Sequence, residues 1–445
     1  MYCKLMSFLV VGLKKSGVMA SMLLLEKGAT VYAYDDNKSN ALNGSIEQLC
    51  KKGLEIVDNP EPILDKVDAV VLSPGVPIDH DVSVLAKSLK KRVIGEMELA
   101  SLFIKAPIIG VTGTNGKTTT CSLISHVLTS ANEKNELVGN IGTPLSAIAS
   151  KNLEDALVVL EISSFQLETI YSLTPHIACV LNVSEDHLDR HYNMDNYVFL
   201  KKKILLNLRE SEYAVLNFDD KIVKSFSNDT RAKVIWFSTK QKVEGAYILD
   251  EDVYYGEEKI TSLKSLNLNG EHLIQNFLAS LCVFKLLGIT TEEIINGVST
   301  FKGVRHRLES VRNYNDIEFI NDSKSTNPNS CITAVKSMKS KTMLIIGGYE
   351  KGLDYTLLMK EIKKSKYIKG LVITGASCNR MYQSAVNENI ENVSLISDFD
   401  TAIKVAFMQC KSGENVLFSP ATSSFDLFLD FEQRGDKFVE VVNSL

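Results

Sequence analysis

The sequence predicts an α/β protein of three domains, each built on a mainly parallel sheet with helices on both faces. Three observations carry that expectation. The chain has 445 residues, too many for one ordinary hydrophobic core, and length alone suggests two to four domains. Short apolar runs alternate with helix-like segments along the chain, the pattern of parallel sheets. That pattern starts afresh near Glu96 and again after about Gly303, so domains are expected at residues 1–95, 96–303 and 304–445.

The first block opens with a strand at 8–11, the turn GLKKSG (12–17), an amphipathic helix to Lys27 and a strand at 30–34 ending in Asp35 and Asp36. This is a Rossmann-like βαβ opening of the kind that binds nucleotides. Lys14 stands where a dinucleotide fingerprint needs glycine to bring the backbone against a pyrophosphate, which speaks against a nicotinamide-dependent dehydrogenase. A strand at 69–72 then ends in SPGVP (73–77), a turn whose N–H groups could face a ligand. A plain α/β domain without a ligand is the competing reading of this block.

The second block carries GVTGTNGKTTT (110–120) between an apolar strand at 106–109 and a helical run at 121–127. A glycine loop at that junction turns its N–H groups onto phosphate oxygens at the positive end of a helix. Lys117 would reach the terminal phosphates of a nucleoside triphosphate and the Thr118 hydroxyl would sit on Mg²⁺. The match to the standard loop is loose. The upstream glycine falls at Gly110, one residue early, with an extra glycine at Gly113.

Further strands are expected at 156–160, 177–181, 213–216 and 234–237. EISSFQLE (161–168) follows the first, placing the Glu161 carboxylate where Mg²⁺ could bind; a helix start capped by Ser163 or Ser164 is equally compatible. LNVSEDHLDR (181–190) follows the second and sets His187 among carboxylates at a strand end. Lys201-Lys202-Lys203 reads as a solvated basic helix face. His272 and Asn276, after Asn269-Gly270, are candidates for a base or ribose contact. His306-Arg307 lies past the second boundary, and that arginine could serve either a phosphate or an ion pair.

In the third block, strands at 317–320, 342–346, 370–374 and 415–418 alternate with helices, and a last helix is expected at about 425–442. Three polar turns follow three of these strands: NDSKSTN (321–327), GGYEKG (347–352) and SPATSSFD (419–426). Thr326 or Asn327 would cap the next helix. Together the turns point to an anionic ligand in the crevice at the strand ends.

A net charge of −5 with 45% hydrophobic and 23% charged residues is ordinary for a soluble protein and lacks the basic footprint of a nucleic-acid binder. No apolar run approaches a membrane span, and residues 1–11 do not read as a signal peptide. The eight scattered cysteines fit reduced thiols, and a cytoplasmic location is expected.

With these motifs in view, the chain resembles the Mur ligases, ATP-dependent amide-forming enzymes of peptidoglycan precursor synthesis. GTNGKTT (113–119), Glu161, the run Asn182, Glu185, Asp186 and His187, and His306-Arg307 carry the likeness. EISSFQL (161–167), NDSKSTN (321–327), SPA (419–421) and FEQRG (431–435) resemble the branch that joins D-glutamate to UDP-N-acetylmuramoyl-L-alanine. The resemblance covers all three blocks. It implies a Rossmann-like UDP-binding first domain, a P-loop ATPase-like central domain and a Rossmann-like amino-acid-binding third domain.

The resemblance also implies a mechanism. ATP would phosphorylate the muramyl carboxylate, and the D-glutamate amine would attack the acyl phosphate. Gly113, Thr114, Asn115, Gly116, Lys117, Thr118 and Thr119 would hold ATP, with Asn276, Arg307 and Asp322. Thr118 and Glu161 would bind a first Mg²⁺, and His187 with a carbamylated lysine a second. Four residues after a tyrosine, that lysine is Lys201 following Tyr197, modified by carbon dioxide or bicarbonate. Lys117, Glu161, His187 and Lys201 would thus be the catalytic set. Lys15, Ser16, Asp35, Gly75 and Asn140, with His187, would hold the UDP substrate, and Lys324, Thr326, Lys351, Ser424 and Phe431 the D-glutamate. A monomer is expected. Two departures stand out: His272-Leu273 replaces the family's His-Asn pair, and Lys14 and Lys15 replace small or apolar residues. A folate polyglutamylating ligase shares the loop and the lysine, but SPA, FEQRG and the βαβ opening speak against it. A regulator without catalysis would not need Lys117, Glu161, His187 and Lys201 intact.

Overall fold

The computed structural model describes residues 3–37, 43–151, 153–266 and 271–445. Three sheets carry the fold. The first joins β1 (Ser7–Val11), β2 (Thr30–Tyr34), β3 (Leu54–Ile56), β4 (Ala69–Leu72) and β5 (Arg92–Gly95), all parallel, in the order β3-β2-β1-β4-β5. The second contains β6 (Ile108–Thr112), β7 (Asn135–Gly139), β8 (Leu157–Glu161), β9 (Ile177–Val180), β10 (Tyr213–Asn217), β11 (Lys233–Ser238), β12 (Gly245–Leu249), β13 (Asp252–Tyr255) and β14 (Glu258–Ser262). Its order is β14-β13-β12-β11-β10-β9-β6-β8-β7, parallel from β7 to β12 and antiparallel beyond. The third runs β15-β16-β20-β17-β18-β19, from β15 (Glu309–Tyr314), β16 (Ile317–Asn321), β17 (Thr342–Gly347), β18 (Ile368–Thr374), β19 (Val393–Leu395) and β20 (Asn415–Phe418), with only β15 antiparallel. The chain divides into two compact units, Met1–Phe301 with the first two sheets and Lys302–Leu445 with the third.

The central strands are apolar on both faces because helices cover both. Along β8, Val158 and Leu160 join one core while Val159 joins the other; along β9, Ala178 and Val180 separate in the same way from Ile177 and Cys179. The period-two pleat thus feeds two hydrophobic layers from one continuous apolar run. In the second sheet β6 lies between β9 and β8, so the loops after these three strands open at one edge, where such sheets change strand order and bind ligands.

Several expected boundaries move. The strand expected at 106–109 is β6, running on to Thr112, and its helix starts at Lys117 and ends at Ser130. Gly110 is therefore no loop glycine. It sits inside β6, where an added Cβ would lie 3.0 Å from Pro175 Cγ and 3.2 Å from Ile204 Cδ1. The last helix begins at Phe431 rather than near 425, because the Asp430 side chain caps it by accepting from Gln433 N. Strands β3, β5, β7, β12 to β15 and β19 were not expected. They are short or rich in polar and tyrosine residues, so their apolar period is weak.

Candidate active site

The loop after β6 is held from below. Asn115 N donates to Asn182 Oδ1 at 2.8 Å and Asn182 Nδ2 returns a bond to Asn115 O at 3.1 Å, while Thr114 N donates to Asn182 O. Gly116 has φ +86°, and a Cβ there would come within 2.3 Å of Asn276 Oδ1. Only glycine adopts that backbone without strain, so Gly116 admits both the turn and the close approach of Asn276. Lys117 Nζ folds back onto Gly113 O and Thr114 O, both at 2.8 Å. Thr118 and Thr119 are buried in the first turn of the helix Lys117–Ser130.

Glu161 ends β8 and is buried. Its Oε1 accepts from Asn140 Nδ2 at 2.8 Å, whereas Oε2 is buried without a hydrogen-bond partner. Ser163, not Ser164, caps the following helix, in a capping box with Gln166.

The triple-lysine segment departs from a solvated face. The helix Met194–Leu206 buries Tyr197, Leu200, Lys201, Ile204 and Leu205, one helical stripe. Lys201 falls on that stripe, 1% exposed, and Nζ donates to Gly113 O at 2.7 Å. Burial first, then the Lys117 charge, pushes its pKa well below the usual lysine range, against the opposite pull of Asp186 and Glu161. Lys202 pairs with Asp229 at 3.1 Å, and Lys203 donates to Glu168 O at 2.9 Å. Tyr197, buried with its hydroxyl 3.1 Å from Thr114 Oγ1, has its pKa pushed up to about 12 by burial.

A cleft of about 120 Å³ is lined by Lys117, Asn140, Ser163, Ser164, Phe165, Asp186, His187, Tyr197 and Lys201. Lys117, Asn140, His187 and Lys201, drawn from four separate segments, thus meet in one place, with Glu161 bonded to Asn140. Asp186, Phe165 and Tyr197 belong to the same lining but were not singled out as site residues; Asp186 stands beside His187 in a run already rich in acids. Among the described residues, no three His, Cys, Asp or Glu side chains gather as a metal site by themselves.

The first sheet presents its own set at the ends of β1, β2 and β4. Asp35 Oδ2 accepts from Leu13 N at 2.5 Å, tying the GLKKSG turn to β2. Lys15 Nζ donates to Gly142 O at 2.6 Å. Ser16 lies half-buried in the first turn of the helix Lys15–Glu26, and Gly75 is exposed. Lys15 therefore bonds the loop that follows Asn140.

In the second unit, the three polar turns follow β16, β20 and β17, which are neighbours in the sheet. Asp322 is buried at the end of β16, accepting from Ser325 Oγ at 2.5 Å and Ser419 Oγ at 2.7 Å. Burial raises its pKa to about 6, with the two hydroxyls and the Arg307 charge opposing. His306 is buried against Asn321, 2.9 Å between Nδ1 and Nδ2. Lys324 Nζ lies 5.5 Å from the centre of the Phe431 ring. Thr326 N donates to Lys324 O, and Asn327 rather than Thr326 caps the helix Pro328–Ser337. Ser424 is buried, and desolvation together with the Arg434 charge lowers the pKa of Lys351.

Arg434 itself was missed. Buried, it donates to Ser323 O at 2.9 Å and Thr422 O at 3.1 Å, tying together the turns after β16 and β20. The FEQRG motif was visible in the sequence; the burial of its arginine was not. Asn269-Gly270 lie outside the described residues.

Residues 111–284 match the Mur ligase middle domain and residues 306–422 the Mur ligase glutamate ligase domain. Curated relatives named UDP-N-acetylmuramoylalanine--D-glutamate ligase include that of a Thermoanaerobacter species, 39% identical over 98% of each chain, and that of Clostridioides difficile, 38% identical over 98% of each. Among solved structures, the chain is similar to UDP-N-acetylmuramate-alanine ligase MurC of Thermotoga maritima (TM-score 0.61, 18% identity, 99% of each chain). It is also similar to MurF of Acinetobacter baumannii (TM-score 0.62, 16% identity, 93% of this chain and 91% of that one). At such identities these two likenesses concern the fold. With full-length relatives near 39% identity and two matching domains, the chain belongs to the Mur ligase family.

Proposed function

We propose that this protein is an ATP-dependent ligase that adds D-glutamate to UDP-N-acetylmuramoyl-L-alanine, working as a cytoplasmic monomer. The carboxylate of the acyl substrate attacks the γ-phosphorus of ATP and ADP departs. The D-glutamate amine then attacks the acyl phosphate, and the tetrahedral intermediate expels phosphate as the amide forms. Such chemistry rests mainly on positioning and on neutralising charge. The observation that carries the reading is the single cleft where Lys117, Asn140, His187 and Lys201 meet beside Glu161.

In this reading the loop amides from Gly113 to Thr119 and the Lys117 ammonium hold the triphosphate, and Asn276 supports the loop from Gly116. Mg²⁺, when bound, neutralises phosphate charge. Its protein ligands would be Thr118 and Glu161 at one position, and His187 and carbamylated Lys201 at the other. The buried, unpartnered Glu161 Oε2 fits a cation. The lowered pKa of Lys201 fits carbamylation, because only the neutral amine attacks carbon dioxide, with loss of one proton. We assign Lys15, Ser16, Asp35, Gly75 and Asn140, with His187, to the UDP substrate. In the second unit we assign Arg307 and Asp322 to ATP, and Lys324, Thr326, Lys351, Ser424 and Phe431 to D-glutamate.

The test is phosphate release from ATP. It is expected only when UDP-N-acetylmuramoyl-L-alanine and D-glutamate are both present. Equal release with L-glutamate, or with a folate and no muramyl substrate, would sink the assignment.

A further inference from the structure

One lining group of the cleft is tied to a pair of side chains that the reaction above does not use. Ser164 Oγ lies 2.9 Å from Nε2 of His191, which is fully buried. The other ring nitrogen, Nδ1, lies 3.2 Å from Glu168 Oε1. That contact is bent, and Nδ1 has no aligned hydrogen-bond partner. Glu168 is in turn clasped by Arg190, whose Nε and Nη2 donate to its two oxygens at 3.1 and 2.6 Å. The imidazole ring is fixed on both sides, its centre 5.3 Å from that of Phe165 and 5.4 Å from that of Tyr197, two further lining residues.

These contacts decide the tautomer. A carboxylate paired with arginine only accepts. A bare Nδ1 lone pair 3.2 Å from a carboxylate oxygen would be repelled even off axis, so Nδ1 carries the proton and Nε2 is bare. The Ser164 hydroxyl must then donate to Nε2, which leaves its oxygen lone pairs for the cleft. Full burial of the ring disfavours a second proton on it, against the pull of Glu168.

We propose that Glu168, His191 and Ser164 form a fixed relay that presents the Ser164 oxygen to the cleft as a hydrogen-bond acceptor for an N–H donor of a substrate. The proposal rests on the ligase reading above. Two substrate groups share the required chemistry: the alanyl amide N–H of the acyl substrate and the amine of D-glutamate. Ser164 touches the substrate, while His191 and Glu168 are positioning residues acting through it.

Nitrogen-15 spectra of histidine-labelled full-length protein at neutral pH test the tautomer directly, with His191→Gln identifying the signal. A protonated Nδ1 and a bare Nε2 are expected; the opposite tautomer or an imidazolium overturns the relay. This measurement stands whichever substrates the enzyme accepts, so its failure is distinct from failure of the ligase reading.

Kinetics test the coupling. Ser164→Ala is expected to lower kcat/KM about tenfold, the worth of one hydrogen bond in a shielded site. His191→Asn, whose amide reaches only the Nδ1 position, should lose about as much. His191→Gln, whose carbonyl can sit where Nε2 was, should keep most activity. Combining Ser164→Ala with His191→Asn should cost no more than either alone, and additive losses would overturn the relay. A KM rise for the acyl substrate identifies the alanyl amide as donor, one for D-glutamate identifies the amine, and a loss in neither refutes the acceptor role.

Discussion

Lys201 shows how a single position decides the chemistry of a segment. Three consecutive lysines are indistinguishable in composition, yet only the one four residues after Tyr197 lies on the buried stripe of its helix. Its neighbours reach Asp229 and Glu168 O. Lys201→Ala is therefore expected to lose at least about a thousandfold in kcat and to regain part of it with a short-chain carboxylate. Lys202→Ala should keep most activity; the reverse in a coupled phosphate assay would refute the register. Asp322 makes a pH prediction. Its pKa rises from 3.8 unfolded to about 6 folded, so between these values the folded state holds a proton that the unfolded state has released. Stability from this group is thus full below about pH 4 and falls as pH rises through 6, by at most about 3 kcal/mol. In urea titrations the advantage of the wild type over Asp322→Asn should shrink across that window, and an advantage that grows would contradict the burial argument.

At the scale of the element, strand, turn and helix each supply one thing to the phosphate loop proposed above. β6 delivers the loop to the sheet edge, the Asn115–Asn182 pair of bonds fixes its shape, and the helix Lys117–Ser130 directs its N-terminal amides there. Gly116 is the joint, in a left-handed conformation and against Asn276. Gly116→Ala is expected to cost about 1–2 kcal/mol in backbone strain and to raise the KM for ATP at least about tenfold. An alanine variant with unchanged KM and melting temperature would show that the loop relaxes freely. The loop's place between a strand and a helix was legible in the sequence, from GKT after an apolar run. Its boundaries were not, since Gly110 looks identical on paper whether it lines a turn or makes room for Pro175 and Ile204.

The whole molecule comprises two units, each with its own sheet system and hydrophobic clusters on both faces. Units with separate cores unfold as separate cooperative blocks. Calorimetry is expected to resolve two transitions. A non-hydrolysable ATP analogue with Mg²⁺ at 100 times its Kd should stabilise the Met1–Phe301 unit by about 2.7 kcal/mol. An analogue that moved only the transition of Lys302–Leu445 would place the triphosphate elsewhere.

Sequence by itself determined the α/β class, the places along the chain of the parallel strands that bear motifs and the glycine loop between a strand and the helix Lys117–Ser130, because these follow from local periodicity and from backbone conformations open mainly to glycine. The family, too, was legible in its motifs. Only the tertiary structure decided which lysine is buried, that Asn140 holds Glu161, that Arg434 ties two strand-end turns, and that Ser164 leans on His191. Those facts depend on which distant segments a sheet brings to one edge, and burial of a charge or the orientation of a hydroxyl is set by such neighbours and leaves no period in the chain.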